Sequence, residues 1–366
     1  MSRARSRSAA WAGVALATLP ACGSGKAPPA PTVTLSPAAD TLIAPFQDAA
    51  GAAPLSAGRW ALVSEGAGVV VVADFDAGRV TPLGSARDPE LANPFAVFTP
   101  GGDTLWISDW GRRRVTAWTA TRLVLSVPAT DELRGALPRA RDLGGRFYAA
   151  ITPAAGRDGR GGRDSALVLR ASSDLKRADT VARLAPLDLA EVQSEGGRRY
   201  ERRVFSGQDA WGVFPDGTAW VARVYQNRVE FRSPDGKSVR GAALPDRVLE
   251  VTRADRELFI QSFPTELRRT AEMLPFAAIK APFETGFTSA DGMVWLQKTK
   301  AAFDTTGRYH VVNRRGELTR EIHVPTTSRI LAAGADRALA VEADSGGLRL
   351  LQYVVPPHTA AAQGSP

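Results

Sequence analysis

The sequence predicts an all-β protein: a six-bladed β-propeller with a short helical insertion between blades four and five. Three observations predict it. A landmark residue recurs at a fixed offset from a turn, a polar loop recurs just beyond each landmark, and short apolar runs alternate with turn residues throughout. A fixed period of short antiparallel strands marks a propeller.

The landmarks come first. Trp106 stands three residues after Asp103 in PGGDTLW, and Trp220 three after Gly217 in FPDGTAW. Trp295 stands three after Gly292 in SADGMVW, and Tyr148 three after Gly145 in DLGGRFY. Gly68 before Val71 and Asp336 before Leu339 continue the series. Gly and Asp tolerate turn geometry, while aromatic and aliphatic side chains suit a half-buried strand. Beyond the landmarks, ADFDAGRV, SDWGRRRV and ARVYQNRV read as three versions of one loop, each opening a new apolar run at Val80, Val115 and Val229. The unit is strand, tight turn, strand, loop, strand, turn, strand. Six units fit, starting near Arg59, Phe95, Arg141, Trp211, Glu284 and Arg329. Trp106, Trp220 and Trp295 are read as core.

From these residues the chain resembles the six-bladed propellers of the NHL-repeat and TolB-like kind, over residues 46–357. That resemblance implies a fold and says little about chemistry. Some propellers of this kind are calcium-dependent lactonases with Glu, Asn and Asp around the central channel. Asp74, Asp109, Asn227 and Glu342 imitate such a set only loosely, and the cations Arg223 and Lys298 at matching positions oppose a metal.

The N-terminus carries its own message. MSRARSRS is basic, and AAWAGVALATL is an apolar run shorter than the ~20 residues of a membrane span. A basic start, a short apolar run and small residues before a cut make a secretory signal, here residues 1–21. Leu19-Pro20-Ala21-Cys22 resembles the lipobox of bacterial lipoproteins, which implies lipidation of Cys22, the only cysteine. A single Cys there fits an oxidising compartment in which no disulfide is needed. Gly23 rather than Asp after the cysteine points, within lipoprotein families, to the outer membrane of a Gram-negative envelope. Residues 22–45, rich in Gly, Ser and Pro, read as a tether. Within it TVTLS, Thr32 to Ser36, is the candidate strand for closing the ring. Residues 358–366 read as a disordered tail.

The helical insertion falls at about 251–280. Thr252 with Asp255 forms a capping-box-like start, Leu258, Phe259 and Phe263 give an apolar face, and Pro264 ends the helix.

In a four-stranded blade the loops from second to third strand share a face with the links between blades. The long segments Thr152 to Asp164, Glu191 to Arg203, Lys298 to Arg308 and the helical insertion all fall there, and long ordered loops on a rigid scaffold carry function. These loops hold more Arg and Lys than Asp and Glu, which steers an anionic ligand. The candidate ligand-binding residues are Asp109, Trp110, Arg112, Arg114, Arg223, Tyr225, Asn227, Arg228, Lys298 and Lys300. Arg offers bidentate contacts to carboxylate, and Trp110 and Tyr225 can stack on a sugar.

Catalytic signatures are missing from the sequence: no GxSxG, no Walker loop and no HExxH. His310, His323 and His358 are scattered, so no multi-histidine metal site, catalytic set or cofactor is expected. Loss of residues 1–21 removes three arginines and leaves a net charge of +5. That is mildly basic, without the dense basic face that nucleic acid requires. The expectation is a membrane-anchored, non-catalytic binding or scaffolding module for an acidic glycan, a peptide or an envelope protein. A metal-dependent, lactonase-like hydrolase is the alternative.

Overall fold

The computed structural model describes residues 30–35, 41–83, 90–119, 122–151, 166–194 and 197–357. The expected signal segment, Cys22, the loop 152–165 and the tail 358–366 lie outside the described residues. Six sheets of four or more strands follow one another along the chain, each with its first strand innermost. Blade one is Gly51–Pro54, Arg59–Ser64, Val69–Asp74 and Arg79–Pro82. Blade two is Pro94–Phe98, Leu105–Asp109, Arg114–Trp118 and Leu123–Pro128. Blade three is Ala140–Arg141, Phe147–Ile151, Leu167–Ala171 and Ala178–Arg183. Blade four is Ala210–Val213, Ala219–Arg223, Arg228–Arg232 and Ser238–Arg240. Blade five is Phe283–Thr288, Val294–Lys298, Thr306–Val312 and Leu318–Pro325. Blade six takes Arg329–Ala333, Arg337–Asp344 and Gly347–Val354 from the C-terminal end and its outermost strand, Thr41–Ala44, from near the start of the described chain.

Successive residues of a strand point to opposite faces, so each blade has two apolar sides. The core follows that rule. Trp60, Leu62 and Val71 of blade one pack with Leu339 and Leu350 of blade six. Ala61 and Val63 pack with Ile107 and Trp118 of blade two. Trp106 meets Phe147 of blade three edge-on, with ring centroids 5.0 Å apart. Tyr148 packs towards blade four, Trp220 towards blade five and Trp295 towards blade six. The landmark residue is therefore the one that faces the next blade.

This corrects the sequence reading of blade one. Gly68 and Val71 lie one strand late, because Val71 faces blade six. The residue that faces blade two in the landmark register is Ala61, three after Gly58. Arg59 begins the second strand, not the first. DFDAG consequently joins the third and fourth strands and lies on the opposite face from SDWGRRR. Asp76 sits 3.9 Å from Arg337, beside the first turn of blade six.

The closing strand also differs from the expectation. Thr32–Thr34 pairs in parallel with Glu321–His323 as a fifth strand of blade five. Closure is made by Thr41–Ala44, antiparallel to Leu348–Leu351. Leu42 and Ala44 enter the cluster between blades six and one. Gly347, at φ +151°, lets the strands approach: a Cβ there would stand 2.3 Å from the Ala44 carbonyl oxygen.

The insertion forms α1 (Arg253–Gln261), a 3-10 turn (Thr265–Leu267) and α2 (Arg268–Glu272). Thr252 and Asp255 make the reciprocal cap. Phe259 packs on Phe205, Phe263 and Phe276, whereas Leu258 is 43% exposed and does not join that apolar face. Glu191 to Arg203, expected as a long link, contains a separate hairpin of Leu189–Ser194 and Gly197–Arg202.

Closure by Thr41–Ala44 predicts a sharp truncation boundary. A chain starting at Asp40, which loses the fifth strand of blade five and the buried Leu35 but keeps the closing strand, should melt only moderately below one starting at Gly23. A chain starting at Pro45 should melt well below both and aggregate, because its last strand becomes an open edge. Differential scanning fluorimetry reads both outcomes; equal melting of all three would refute the closure.

Candidate functional site

The position three residues beyond the landmark proves to be a joint. It lies at or, in blade six, two residues before the end of the second strand, next to the link that leads into the first strand of the same blade. That link brings backbone N–H groups that need partners when buried. In blade one, Ser64 donates to Asp48 at 2.5 Å. In blade two, buried Asp109 accepts from the backbone N–H groups of Ala92 and Asn93, both at 2.8 Å. In blade four, Arg223 bonds Asp209 at 2.9 Å and Glu230 at 2.8 Å. In blade five, Lys298 is 1% exposed and ion-paired with Asp246. In blade six, Glu342 accepts from Thr327 at 3.0 Å and from Ser328. Asp109, Arg223 and Lys298 thus clasp the links. Asp109, Asn227 and Glu342 sit at the corners of three different blades, each with its own partners, and Asp74 lies on the far face.

The remaining candidates divide. Trp110 tilts over Phe95 with centroids 5.3 Å apart, and Arg114 pairs with Glu90 at 2.7 Å. Arg112 is exposed on the same blade-two corner. Asn227 donates to the Leu244 carbonyl at 3.0 Å and to Asp246 at 2.8 Å. Arg228 is half-buried beside it, with no hydrogen-bond partner for its Nε among the described residues. Lys300 donates to Thr326 Oγ1 at 3.0 Å. Tyr225 is exposed and donates to the Pro186 carbonyl at 3.1 Å. Of the ten candidates, Tyr225 and Asn227 are brought together in a cavity, a space of about 480 Å³ between blades four and five.

The central channel holds what the sequence reading missed. Its space of about 310 Å³ is walled by the innermost strands of all six blades. Arg139, Arg141 and Arg329 line it. Arg139 lies over Phe95 at 4.9 Å, and Arg141 over Trp106 at 4.4 Å. Arg329 donates to the Ala49 carbonyl at 2.6 Å. Among the described residues none of the three forms an ion pair. An adjoining recess of about 200 Å³ is lined by Arg139, Gln208, Asp209 and Glu284. Asp209 is held by Arg223 and by the N–H groups of Ala185 and Val224. Glu284 accepts from Gln297 at 2.9 Å. Its side chain lines the recess beside the channel, yet protein surrounds it. That burial pushes its carboxyl above the usual range, opposed by Lys300, Lys280 and Arg329. Among the described residues no three His, Cys, Asp or Glu gather where they could hold a metal ion.

One signal in the sequence could have found this set. Arg139 and Arg141 alternate in PRARD, and residues two apart on a strand share a face. Arg329 opens the first strand of the last repeat.

The joint of blade five carries a pH dependence. His310 is buried beside Lys298 and its Nε2 lies 3.2 Å from Glu321. Burial, and then the Lys298 charge, push its pKa down to about 4 from an ordinary 6.5. The folded state therefore favours neutral His310. Its contribution is complete above pH 6.5 and drains away as pH falls towards 4. Urea unfolding should show about 3 kcal/mol less stability at the acid end from this group alone. The loss should be absent from the stability profile of His310→Gln; a variant profile that keeps it would remove His310 as its source.

No protein-family model matches the chain, and no curated protein is significantly similar to it. Solved structures resemble it over most of its length. Virginiamycin B lyase from Staphylococcus aureus is 10% identical, with 86% of this chain and 98% of that chain covered and a TM-score of 0.45. A gluconolactonase from Xanthomonas campestris is 14% identical, with 89% and 99% covered and a TM-score of 0.45. Regucalcin, a calcium-binding protein from Agrobacterium tumefaciens, is 12% identical, with 90% and 99% covered and a TM-score of 0.45. At these identities the chemistry of those proteins stays with them.

Proposed function

We propose that the chain is a lipid-anchored, non-catalytic binding module of the bacterial cell envelope. Its ligand is anionic: a carboxylate presented by an acidic glycan, a peptide or another envelope protein. The observation that carries this reading is the channel, lined by three guanidinium groups, none ion-paired among the described residues, with the Glu284 carboxylate in the adjoining recess. Like charges gathered in an enclosed space repel, and a bound anion relieves that repulsion. Guanidinium groups also match a carboxylate geometrically, two N–H groups to two oxygens. They stay protonated at every ordinary pH, so they bind charge without moving protons. The loop cations named from the sequence support the same ligand sign, but most are held by protein partners. The site therefore moves from the loops to the channel.

The test uses citrate as the probe, followed by titration calorimetry. Citrate should bind once per chain and more weakly as salt rises. Arg139→Ala with Arg329→Ala should weaken it at least ~10-fold, since a hydrogen bond to a charged group contributes about 1.5–3 kcal/mol. Glu284→Gln, which removes the opposing charge, should tighten it. Citrate binding that ignores all three substitutions, or no binding, would sink the channel reading.

The anchor is a separate part of the proposal. Each buried acyl CH₂ contributes about 0.8 kcal/mol, and stable attachment needs about two chains. In a Gram-negative host the full chain should pellet with membranes and incorporate labelled palmitate. Cys22→Ala should stay in the soluble fraction without label; equal partitioning of both chains would refute lipidation.

A further inference from the structure

We infer that the cavity between blades four and five is a second binding site, for a small amphipathic anion: a carboxylate on an alkyl or aryl body. This site stands independently of the channel. Its walls are fixed by two extended segments that flank the helical insertion. Lys280 N–H donates to the Leu249 carbonyl at 2.8 Å, and Val251 N–H to the Ala278 carbonyl at 2.9 Å. The space of about 480 Å³ is walled mainly by apolar groups, among them Val224, Ala277, Ala281 and Pro282. Val248 and Ile279, 69% and 52% exposed, add aliphatic surface to its lining. The exposed ring of Tyr225 adds an aromatic side. An apolar body has somewhere to lie.

The charges decide the sign of its head group. Four charged side chains other than Arg308 line the space, and each is held by another partner or lies at the rim. Asp246 is held by Lys298 and Asn227. Asp188 lies 3.4 Å from Arg203. Lys280 pairs with Asp255 at 2.6 Å and also donates to the Lys300 carbonyl. Arg247 is exposed. Arg308 remains: half-buried, lining the cavity, and without a hydrogen bond or ion pair from its side chain among the described residues. The nearby acid Glu321 already serves His310 and His323. Thr299, also in the lining, is 8% exposed, and its hydroxyl has no hydrogen-bond partner among the described residues. A half-buried guanidinium and an unsatisfied hydroxyl beside an apolar wall describe a carboxylate with a hydrophobic body better than a bare phosphate.

Calorimetry of the full chain with phenylbutyrate and with phenylbutanol tests this. Phenylbutyrate should bind once, with the alcohol at least ~10-fold weaker. Arg308→Met should reduce the acid to the level of the alcohol and leave the alcohol unchanged. Arg308→Lys, which keeps the charge, should retain part of the preference, and Ile279→Asp should weaken both probes. Arg139→Ala with Arg329→Ala should leave phenylbutyrate binding intact, and Arg308→Met should leave citrate binding intact. Equal affinity for acid and alcohol would overturn the anionic subsite. Displacement of phenylbutyrate by inorganic phosphate at equal concentration would overturn the apolar half. Loss of phenylbutyrate binding in the channel variant alone would place it in the channel instead.

Discussion

Each blade of this protein has two apolar faces and only its neighbours to hide them. Residues adjacent on one strand divide between two clusters: Trp60 packs towards blade six, and Ala61 towards blade two. Six clusters, each built by consecutive blades, follow from that alternation. A row of such sheets with open ends would leave two faces wet, and burial of apolar surface contributes about 25 cal/mol per Å². The row must therefore close, and a strand from one end of the chain must join a blade from the other. Thr41–Ala44 beside Gly347–Val354 meets that requirement. Closure also sets the channel, because the innermost strand of every blade is then held at a fixed distance from the axis.

The same constraint explains which parts of the fold were legible. A landmark that must fill the gap to the next blade is large in four blades, as Trp106, Tyr148, Trp220 and Trp295, and the period shows. In blade one that place belongs to Ala61, while the run Val69 to Val72 offers a more apolar imitation ten residues later. A slip of one strand is invisible locally, since second and third strands are both apolar and alternate alike. It nevertheless moves DFDAG to the other face of the ring. The closing strand was illegible for a related reason. TVTLS and TLIA are equally good short strands, and only the closed ring decides which one borders the last blade. The helix start was legible because a cap is local: Thr252 and Asp255 satisfy each other within one turn.

The site was harder to read than the fold, because charge in a loop is not charge available to a ligand. Lys298 and Arg223 look like binding residues in the sequence, yet each closes a joint against an aspartate of the adjoining link. Breaking such a buried pair leaves an uncompensated charge, which costs about 3–5 kcal/mol. These residues are therefore committed to the fold. Availability depends on which side of an innermost strand a residue faces, and on whether an ion pair already holds it. Arg139, Arg141 and Arg329 meet both conditions, although PRARD carries no more positive charge than GRRR.

The channel and the side cavity differ in what fixes them, and so in what they select. The channel is bounded by six strands of the ring itself, with cations around a shared space, and it reads charge. The side cavity is bounded partly by the flanks of an insertion, which must be held rigid by something other than the repeat. Asp255 supplies that hold. It caps α1 through Thr252 at 2.9 Å and binds Lys280 at 2.6 Å, and Lys280 reaches the Lys300 carbonyl at 2.6 Å on blade five. One buried carboxylate thus joins the helix start, the cavity wall and the neighbouring blade. Because Lys280 is occupied by that contact, Arg308 is left as the cation within the wall. A single cation set in apolar surroundings discriminates by the body that carries the charge, where a ring of cations discriminates by the charge alone.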